Sequence, residues 1–172
     1  MLSERLKKSI KDYPNFPKKG IVFKDISPVI SDPILFSDLI DKISNYSCFG
    51  EADSIIAIDA RGFIFGSAIA KVLKKPLIMA RKKNKLPGKT IEASYGLEYG
   101  KDTLSIQISS IIPFKKFVIV DDLLATGGTA KCVIDLLKKS NKEILGLSVI
   151  VELTELKGAE FIGIPVFSEI KY

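Results

Sequence analysis

The chain has 172 residues, a formal net charge of +6 from 26 Lys and Arg against 20 Asp and Glu, and no histidine. This length is typical of one domain, and the lack of histidine excludes Ser-His and Cys-His nucleophile pairs and most zinc sites. No apolar run approaches the ~20 residues of a membrane span, and no signal peptide is recognisable. Cys48 and Cys132 have no CxxC spacing. We therefore expect a cytoplasmic protein without a membrane partner.

The first half of the chain alternates between predicted helices and strands. Pro33 suits the first position of a helix that either Ser31 or Asp32 can cap. The apolar face of that helix is predicted to hold Leu35, Leu39, Ile43 and Tyr46. The predicted elements up to residue 80 are a helix at 2–10, a Pro-containing loop at 13–20, a strand at 21–25, the helix from Pro33, a strand at 54–58, a helix at 62–74 and a buried strand at 76–80.

A polar basic segment at 81–93, RKKNKLPGKTIEA, interrupts the alternation and has no periodicity, which predicts a mobile loop. Strands at 94–99 and 103–108 then form a predicted antiparallel pair around Gly100. A strand at 116–120, a helix at 129–139 and a strand at 144–152 complete the pattern. The alternation predicts an α/β fold, with a mainly parallel central sheet flanked by helices.

The most informative segment is 117–129, FVIVDDLLATGGT, in which a hydrophobic strand leads to two acids and a glycine-rich turn before a helix. Ligands of open α/β sheets bind at the carboxyl ends of the strands, which is where Asp121 and Asp122 stand. We call these two residues the acidic pair and residues 125–129 the TGGT loop. Backbone N–H groups of such a loop, with the helix N-terminus behind them, favour a phosphate. Since two carboxylates suit a vicinal diol or magnesium-bound sugar, the segment predicts a sugar-phosphate site.

Two other interpretations of these motifs were weighed. The acidic pair could cap the helix while the glycines make a turn, but a cap needs neither the second acid nor the TGGT sequence. The GKT at 88–90 resembles the end of a Walker A motif, yet Lys83 stands where that motif requires glycine. Neither interpretation explains the segment as well as a sugar-phosphate site.

The stretch VIVDDLLATGGT resembles the phosphoribosyl pyrophosphate signature of the type I phosphoribosyltransferases, in the wording of their adenine enzymes. Four further stretches agree: DYPNFPKKGIVFKDISP, IDARGFIFG, RKKNKLPGKT and YGLEYGKD. The resemblance runs from Asp12 to near the end. It implies a single domain over 1–172, with a flexible catalytic loop and a small base-binding hood from the N-terminal part. The implied activity is transfer of ribose 5-phosphate from phosphoribosyl pyrophosphate to adenine, giving AMP and pyrophosphate, in a homodimer.

The resemblance also implies roles for residues along the strand ends. The acidic pair would hold the ribose hydroxyls, with magnesium carried by the substrate near it and no direct protein ligand. The loop at 59–62 would contact pyrophosphate, and its Arg61 suits bidentate contacts to phosphate oxygens. The segment Arg81 to Thr90 resembles the flexible catalytic loop and would bring further cations to the pyrophosphate. The residues concerned are Asp59, Ala60, Arg61 and Gly62, then Arg81, Lys82 and Lys85, and for the 5-phosphate Ala125, Thr126, Gly127, Gly128 and Thr129.

The resemblance assigns adenine recognition to residues in two other stretches of the chain. Phe23 would stack on the purine, with backbone groups of Val22 and Lys24 reading its edge, although an ordinary core role for Phe23 stays open. Lys24 stands where the family often has arginine. Glu98 matches the acid that handles the purine proton, and Tyr99 would help close the site. Alternation along a strand allows one of these two side chains to face inward.

Two alternative functions remain open. The first is transfer to hypoxanthine or guanine instead of adenine. The second is a regulator that binds the sugar phosphate and also nucleic acid, which the net charge of +6 would favour. Such a regulator is expected to carry a DNA-binding module, and the residues before the first strand are too few for one. We therefore expect small-molecule substrates and no nucleic-acid partner.

Overall fold

The computed structural model describes residues 1–97 and 100–172, which form two compact units, 1–43 and 44–172. The first unit contains α1 (Leu2–Ser9), β1 (Lys11–Pro14), β2 (Val22–Asp25), α2 (Ser27–Ser31) and most of α3 (Pro33–Ser44). β1 and β2 pair antiparallel, with Tyr13 opposite Phe23. The predicted loop at 13–20 was therefore wrong at its start. All four β1 residues are exposed, so they lack the apolar alternation that marks a strand.

The start of α3 is fixed by a side-chain cap. The Asp32 carboxylate accepts hydrogen bonds from the backbone N–H groups of Ile34 and Leu35, at 3.0 and 2.9 Å. This selects Asp32 rather than Ser31 as the cap. The helix buries Leu35, Leu39, Ile40 and Ile43. It ends at Ser44, so the prediction that Tyr46 belongs to its apolar face was wrong.

The second unit carries the main sheet. Its strands are ordered β10-β9-β7-β3-β4-β6-β5, with parallel pairs from β10 to β4 and antiparallel pairs between β4, β6 and β5. The short β8 pairs parallel with β9. The elements are α4 (Ser47–Glu51), β3 (Ser54–Ile58), α5 (Gly62–Leu73), β4 (Leu77–Lys82), β5 (Thr90–Leu97), β6 (Gly100–Gln107), α6 (Ile108–Ile111), β7 (Lys116–Val120), β8 (Leu123–Leu124), α7 (Gly128–Lys139), β9 (Glu143–Glu152), a 3₁₀ turn (Thr154–Leu156), α8 (Gly158–Ile162) and β10 (Val166–Lys171).

Helices cover both faces of this sheet. On one face, α7 buries Val133, Ile134 and Leu137 in a cluster that includes Ile119 of β7 and Leu147 of β9. On the other face, α5 approaches β3 so closely that a Cβ on Gly66 would lie 2.6 Å from the Cβ of Ala57. The mainly parallel α/β architecture predicted from the sequence is thereby confirmed. Among the described residues, no helix has the length and apolar character needed to cross a membrane.

The basic segment at 81–93 differs from the predicted loop. Arg81 and Lys82 are the last residues of β4 and pair with β6, while β5 begins at Thr90. Only residues 83–89 connect these two strands. Within β5, half-buried Ile91 and Ala93 alternate with exposed Glu92 and Ser94, the period-2 pattern of a half-buried strand. The lysines and the short length of this pattern hid it from the sequence analysis.

Candidate active site

Three neighbouring strands end at one edge of the sheet and place charged residues there. β3 lies between β4 and β7, so Asp59, Arg81 and Asp121 occupy the carboxyl ends of adjacent parallel strands. Backbone hydrogen bonds fix these ends in the sheet: Asp59 N donates to Ala80 O of β4 at 2.9 Å, and Asp121 N donates to Ser148 O of β9 at 3.0 Å. In open α/β sheets, ligands bind at this edge.

The acidic pair is arranged around one cation. Arg61 Nη2 lies 2.8 Å from Asp122 Oδ2, and the Asp122 side chain is 9% exposed. The Asp121 carboxylate accepts a hydrogen bond from the backbone N–H of Asp122 at 2.8 Å. Asp121 and Arg61 remain partly exposed while Asp122 is buried, so Asp121 is the member of the pair that a ligand with hydroxyl groups can reach.

Burial raises the pKa of both carboxyl groups of the acidic pair. Removal from water raises the pKa of Asp121 well above its ordinary value, and the adjacent charge of Asp122 raises it further. Burial also raises the pKa of Asp122, although the Arg61 guanidinium opposes this shift. Two neighbouring carboxylates with raised pKa values at the end of a strand are characteristic of a functional site.

The TGGT loop forms the other side of this edge. Gly127 has φ +87°, a left-handed conformation that favours glycine, and it caps the N-terminus of α7. A cavity of about 180 Å³ lies over the loop, lined by Asp121, residues 123–130 and Leu147. Backbone N–H groups at a helix N-terminus stabilise a bound anion. The structure therefore brings the TGGT loop and Asp121 together around one cavity.

The loop at 59–62 connects β3 to α5. The Asp59–Ala60 peptide bond is cis. A Cβ on Gly62 would lie 2.9 Å from Val120 O and 3.0 Å from Asp121 Oδ1. Glycine at this position therefore lets the start of α5 approach the end of β7, which brings Arg61 within reach of Asp122.

Arg81 is held in place by three groups. Its Nε lies 3.2 Å from Asp59 Oδ2, and its Nη1 donates to the backbone carbonyl of Lys85 at 3.3 Å. Its guanidinium carbon lies 5.9 Å from the ring centroid of Phe63. Lys82 follows on the opposite face of β4, where its ammonium pairs with Asp102 at 3.0 Å. The side chains of Arg81 and Lys82 therefore do not converge on one point.

The residues that the resemblance assigns to adenine recognition do not belong to the strand ends described above. Val22, Phe23 and Lys24 form most of β2 in the unit 1–43. The Phe23 ring meets Phe16 edge to face, with centroids 5.3 Å apart, and Lys24 Nζ pairs with Asp12 at 2.8 Å. Phe23 is half-buried and does not belong to the buried core. Glu98 and Tyr99 lie outside the described residues.

Two contributors to the site were missed by the sequence analysis. Phe63 supports Arg81, and Gly158 of α8 packs behind the TGGT loop, where its Cβ would lie 2.2 Å from Ala125 O. The contact of Gly158 with Ala125 joins residues far apart in sequence, so it leaves no local pattern. No sequence signal distinguishes Phe63 from the other apolar residues of α5.

Asp121 of the acidic pair places a carboxylate at the cavity over the TGGT loop. Within 1–97 and 100–172, no group of three or more His, Cys, Asp or Glu side chains is arranged to hold a metal ion. Oxygen-rich ligation with several positions left to substrate and water is the usual arrangement for magnesium. The two neighbouring carboxylates, of which Asp121 lines the cavity, fit such an ion.

The chain matches known proteins over its whole length. Residues 34–162 match the phosphoribosyl transferase domain family. Adenine phosphoribosyltransferase of Prochlorococcus marinus strain MIT 9215 is 54% identical over 172 residues, 100% of both chains. Two solved structures of adenine phosphoribosyltransferases are also similar. The Saccharomyces cerevisiae enzyme, complexed with an imino-altritol bisphosphate and adenine, is 37% identical with a TM-score of 0.91, over 98% of each chain. The Giardia lamblia enzyme, complexed with 9-deazaadenine, is 31% identical with a TM-score of 0.93, over 100% of this chain and 98% of that one. The chain belongs to the phosphoribosyltransferase family, among its adenine phosphoribosyltransferases.

Proposed function

We propose that this chain transfers ribose 5-phosphate from phosphoribosyl pyrophosphate to adenine and releases AMP and pyrophosphate. The observation that carries this function is that Asp121 and the TGGT loop line one cavity, with the backbone N–H of Asp122 hydrogen-bonded to the Asp121 carboxylate. A phosphate in the loop and a ribose diol at the carboxylates are held by neighbouring parts of one chain segment. The related Saccharomyces cerevisiae structure, which contains adenine, supports the choice of base.

The ribose 5-phosphate half of the substrate is assigned to β7 and α7. The acidic pair accepts hydrogen bonds from the ribose hydroxyls, and residues 125–129 surround the 5-phosphate with N–H and hydroxyl donors. Asp122 is already held by Arg61 at 2.8 Å, so its position is set before the sugar binds. Fixing both ends of the sugar restricts the orientation of its anomeric carbon, which lowers the entropic part of the barrier.

The pyrophosphate half is assigned to the loop at 59–62 and the end of β4. Departure of pyrophosphate develops positive charge at the anomeric carbon and negative charge on the leaving group. Arg61 and Arg81 stabilise that negative charge, with Lys85 and the backbone of Asp59, Ala60 and Gly62 as further ligands. Lys82 points to the opposite face of β4 and pairs with Asp102, so it is not assigned to the same pyrophosphate. The ion pair of Arg81 with Asp59 prepares this cation at the carboxyl end of β4. The mechanism requires no protein nucleophile.

Magnesium is the proposed cofactor, carried by the substrate. When bound, it neutralises charge on the pyrophosphate oxygens. The acidic pair is the protein group proposed to face it, and no direct protein ligand is assigned. The chain itself binds and orients the substrate through the groups described above.

The base is assigned to the N-terminal hood and to the β5–β6 hairpin. Phe23 stacks on adenine, and the backbone of Val22 and Lys24 hydrogen-bonds its edge. Phe23 supports this role because its aromatic side chain is only half-buried and lies outside the buried core. The Lys24 side chain pairs with Asp12, so its backbone is the proposed contact. Glu98 is the proposed base for the purine proton, and Tyr99 closes the site.

A homodimer is the proposed assembly. Four large apolar residues on α5 and β4 have 37–50% of their surface exposed, namely Ile64, Val72, Leu77 and Met79. Leu77 and Met79 share one face of β4, and exposed apolar surface of this kind marks protein interfaces. The proposed location is the cytoplasm, which the free thiols of Cys48 and Cys132 favour. Nucleic-acid and membrane partners are not part of the proposal.

The proposed function is tested by pyrophosphate release. Purified protein is incubated with phosphoribosyl pyrophosphate and magnesium, with and without adenine. Release that depends on adenine and matches AMP formation one to one supports the function. Release without adenine, or no release with it, would contradict the proposal. Asp121→Asn with Asp122→Asn is the control, because it removes the carboxylate that lines the cavity and the carboxylate that pairs with Arg61.

A further inference from the structure

The TGGT loop is supported from behind by α8. Gly158 is buried, and a Cβ there would lie 2.2 Å from Ala125 O and 3.2 Å from Gly127 N. Both atoms belong to the backbone, so no side-chain rotation relieves the overlap. The φ of Gly158 is not positive, so glycine is required by space and not by backbone conformation. Any larger residue at 158 must displace either α8 or the loop.

The contact is reciprocal. A Cβ on Gly127 would lie 2.8 Å from Ile162 Cγ2, 3.0 Å from Gly158 O and 3.3 Å from Phe161 Cδ1. α8 therefore contributes a carbonyl and two side chains to the surface on which Gly127 rests. Two glycines face each other across this contact, and neither position has room for a methyl group.

The segment before α8 is anchored to the sheet and to the last residue. Leu153 N donates to Leu124 O at 2.9 Å, which continues the pairing of β8 with β9. Both the backbone N–H and the hydroxyl of Thr154 donate to Tyr172 O, at 2.8 and 2.6 Å. α8 thus starts from a fixed point, and its position relative to the TGGT loop is determined by the sheet.

We propose that Gly158 is a positioning residue, through which α8 sets the conformation of the TGGT loop that binds the 5-phosphate. The inference rests on the proposed function, which assigns that phosphate to the loop. Gly158 acts through Ala125 and Gly127 and does not touch the substrate. Because several N–H groups must point at one anion, a displacement of the Ala125 carbonyl weakens them together.

The test is Gly158→Ala, with ribose 5-phosphate binding measured by titration calorimetry and KM measured for each substrate. A methyl group 2.2 Å from Ala125 O forces a displacement of about 1 Å, which is enough to cost up to ~10²-fold at a preorganised site. We expect ribose 5-phosphate to bind at least about tenfold more weakly. The KM for phosphoribosyl pyrophosphate rises by a similar factor, while the KM for adenine stays unchanged.

Gly163→Ala is the matched control. Gly163 ends α8 with φ +65° and has nothing within 4 Å of its Cβ position, so alanine strains the same helix without reaching the loop. Gly50→Ala, also with an open Cβ position, controls for the substitution itself. The inference is supported when Gly158→Ala alone loses ribose 5-phosphate affinity. It is overturned when Gly158→Ala binds like wild type, or when Gly163→Ala loses as much affinity for the same loss of thermal stability.

Two further outcomes are decided by the same series. If Gly158→Ala does not fold, Ile162→Ala replaces it, because it removes the Cγ2 that faces Gly127. Weaker binding than in Gly163→Ala then supports the inference, and equal binding overturns it. If wild type itself fails to bind ribose 5-phosphate, the proposed function fails and the inference falls with it. Wild-type turnover together with an unaffected Gly158→Ala overturns the inference alone.

Discussion

Arg61 and Asp122 form an ion pair at the mouth of the site, with 2.8 Å between Nη2 and Oδ2. The Asp122 side chain is 9% exposed and that of Arg61 is 36% exposed, so the carboxylate is enclosed while its cation still reaches solvent. The proposed mechanism assigns Asp122 to the ribose and Arg61 to pyrophosphate. This ion pair therefore joins the residue assigned to the ribose with the residue assigned to the pyrophosphate, the two groups between which the bond breaks.

Arg61→Gln should change both the rate and its pH dependence. The guanidinium lowers the pKa of Asp122, against the larger opposing effect of burial, so its removal lets that pKa rise. The acidic limb of kcat/KM for phosphoribosyl pyrophosphate should move to higher pH, and kcat should fall by roughly 10²–10³. Arg5→Gln, which breaks an exposed pair with Asp38 at 2.5 Å, is the control and should leave both unchanged. An unmoved acidic limb in Arg61→Gln would contradict the coupling.

Asp121→Asn should stabilise the protein in the absence of substrate. Burial raises the pKa of Asp121, so above the unfolded-state value of about 3.9 the native state retains a proton that the unfolded state has lost. The free energy of unfolding from this group therefore falls as pH rises through the window up to the raised pKa. We expect Asp121→Asn to melt higher than wild type at neutral pH, with the difference vanishing at roughly pH 4.

The control for this prediction is Asp53, whose pKa shift has the opposite direction to that of Asp121. Asp53 accepts hydrogen bonds from the backbone N–H groups of Lys115 and Lys116, both at 2.9 Å, which lower its pKa. Its stabilisation is present above the unfolded-state pKa and is lost as pH falls through the lowered value. Asp53→Asn should therefore melt below wild type at neutral pH and match it in acid. Melting shifts of the same sign in both variants would refute the account of the acidic pair.

Arg81→Ala should lower turnover and leave the fold intact. Asp59 and Phe63 position the guanidinium at the end of β4, so its loss removes a preorganised charge and should reduce kcat by roughly 10²–10³. The partly exposed ion pair contributes at most about 1 kcal/mol to stability. Lys83→Ala is the control, because Lys83 pairs with Glu92 at 3.0 Å and has no assigned role. Unchanged turnover in folded Arg81→Ala would remove it from the mechanism.

Phe23→Ala should weaken adenine and spare the sugar phosphate. Loss of base stacking costs about 1–3 kcal/mol, so the adenine KM should rise by roughly 5- to 150-fold while the KM for phosphoribosyl pyrophosphate stays constant. Tyr13→Leu changes the residue opposite Phe23 on β1 and should leave both constants unchanged. Equal rises for both substrates would indicate that Phe23 supports the fold and does not stack on the base.

Met79→Lys should dissociate the proposed homodimer. The side chain is 42% exposed on β4, and an interface that covers it would bury an unpaired ammonium group. Light scattering after size exclusion should give a dimer mass for wild type and a monomer mass for the variant. Ile112→Lys, at a site 67% exposed on the same unit, should remain dimeric. A dimeric Met79→Lys would show that β4 lies outside the interface.

The parts of the fold that local pattern determines were predictable. The continuous apolar runs of β3 and β7 predicted buried parallel strands, and both are buried, apart from the half-buried Lys116 that opens β7. The ends of those strands then placed Asp59 and Asp121 at one edge of the sheet. The polar strand β1 and the start of β5 were not predictable, because their pairing depends on partners elsewhere in the chain.

In the site, too, features set by the local sequence were predictable and features set by distant partners were not. The acidic pair and the TGGT loop follow each other in sequence, so their proximity could be anticipated. The pair of Arg81 with Asp59 and the contact of Gly158 with Ala125 join residues from separate elements. Such contacts depend on how β4 pairs within the sheet and how α8 packs behind the TGGT loop, and no periodicity within either segment encodes that.

The most direct measurement is kcat/KM for adenine, hypoxanthine and guanine, each with phosphoribosyl pyrophosphate and magnesium, following nucleotide and pyrophosphate together. The proposed function predicts AMP and pyrophosphate in equal amounts from adenine and no turnover of the other two bases. Turnover of hypoxanthine or guanine instead would retain the sugar-phosphate site but contradict the base assignment. No turnover of any base, with phosphoribosyl pyrophosphate still bound, would contradict the enzyme and favour a regulator.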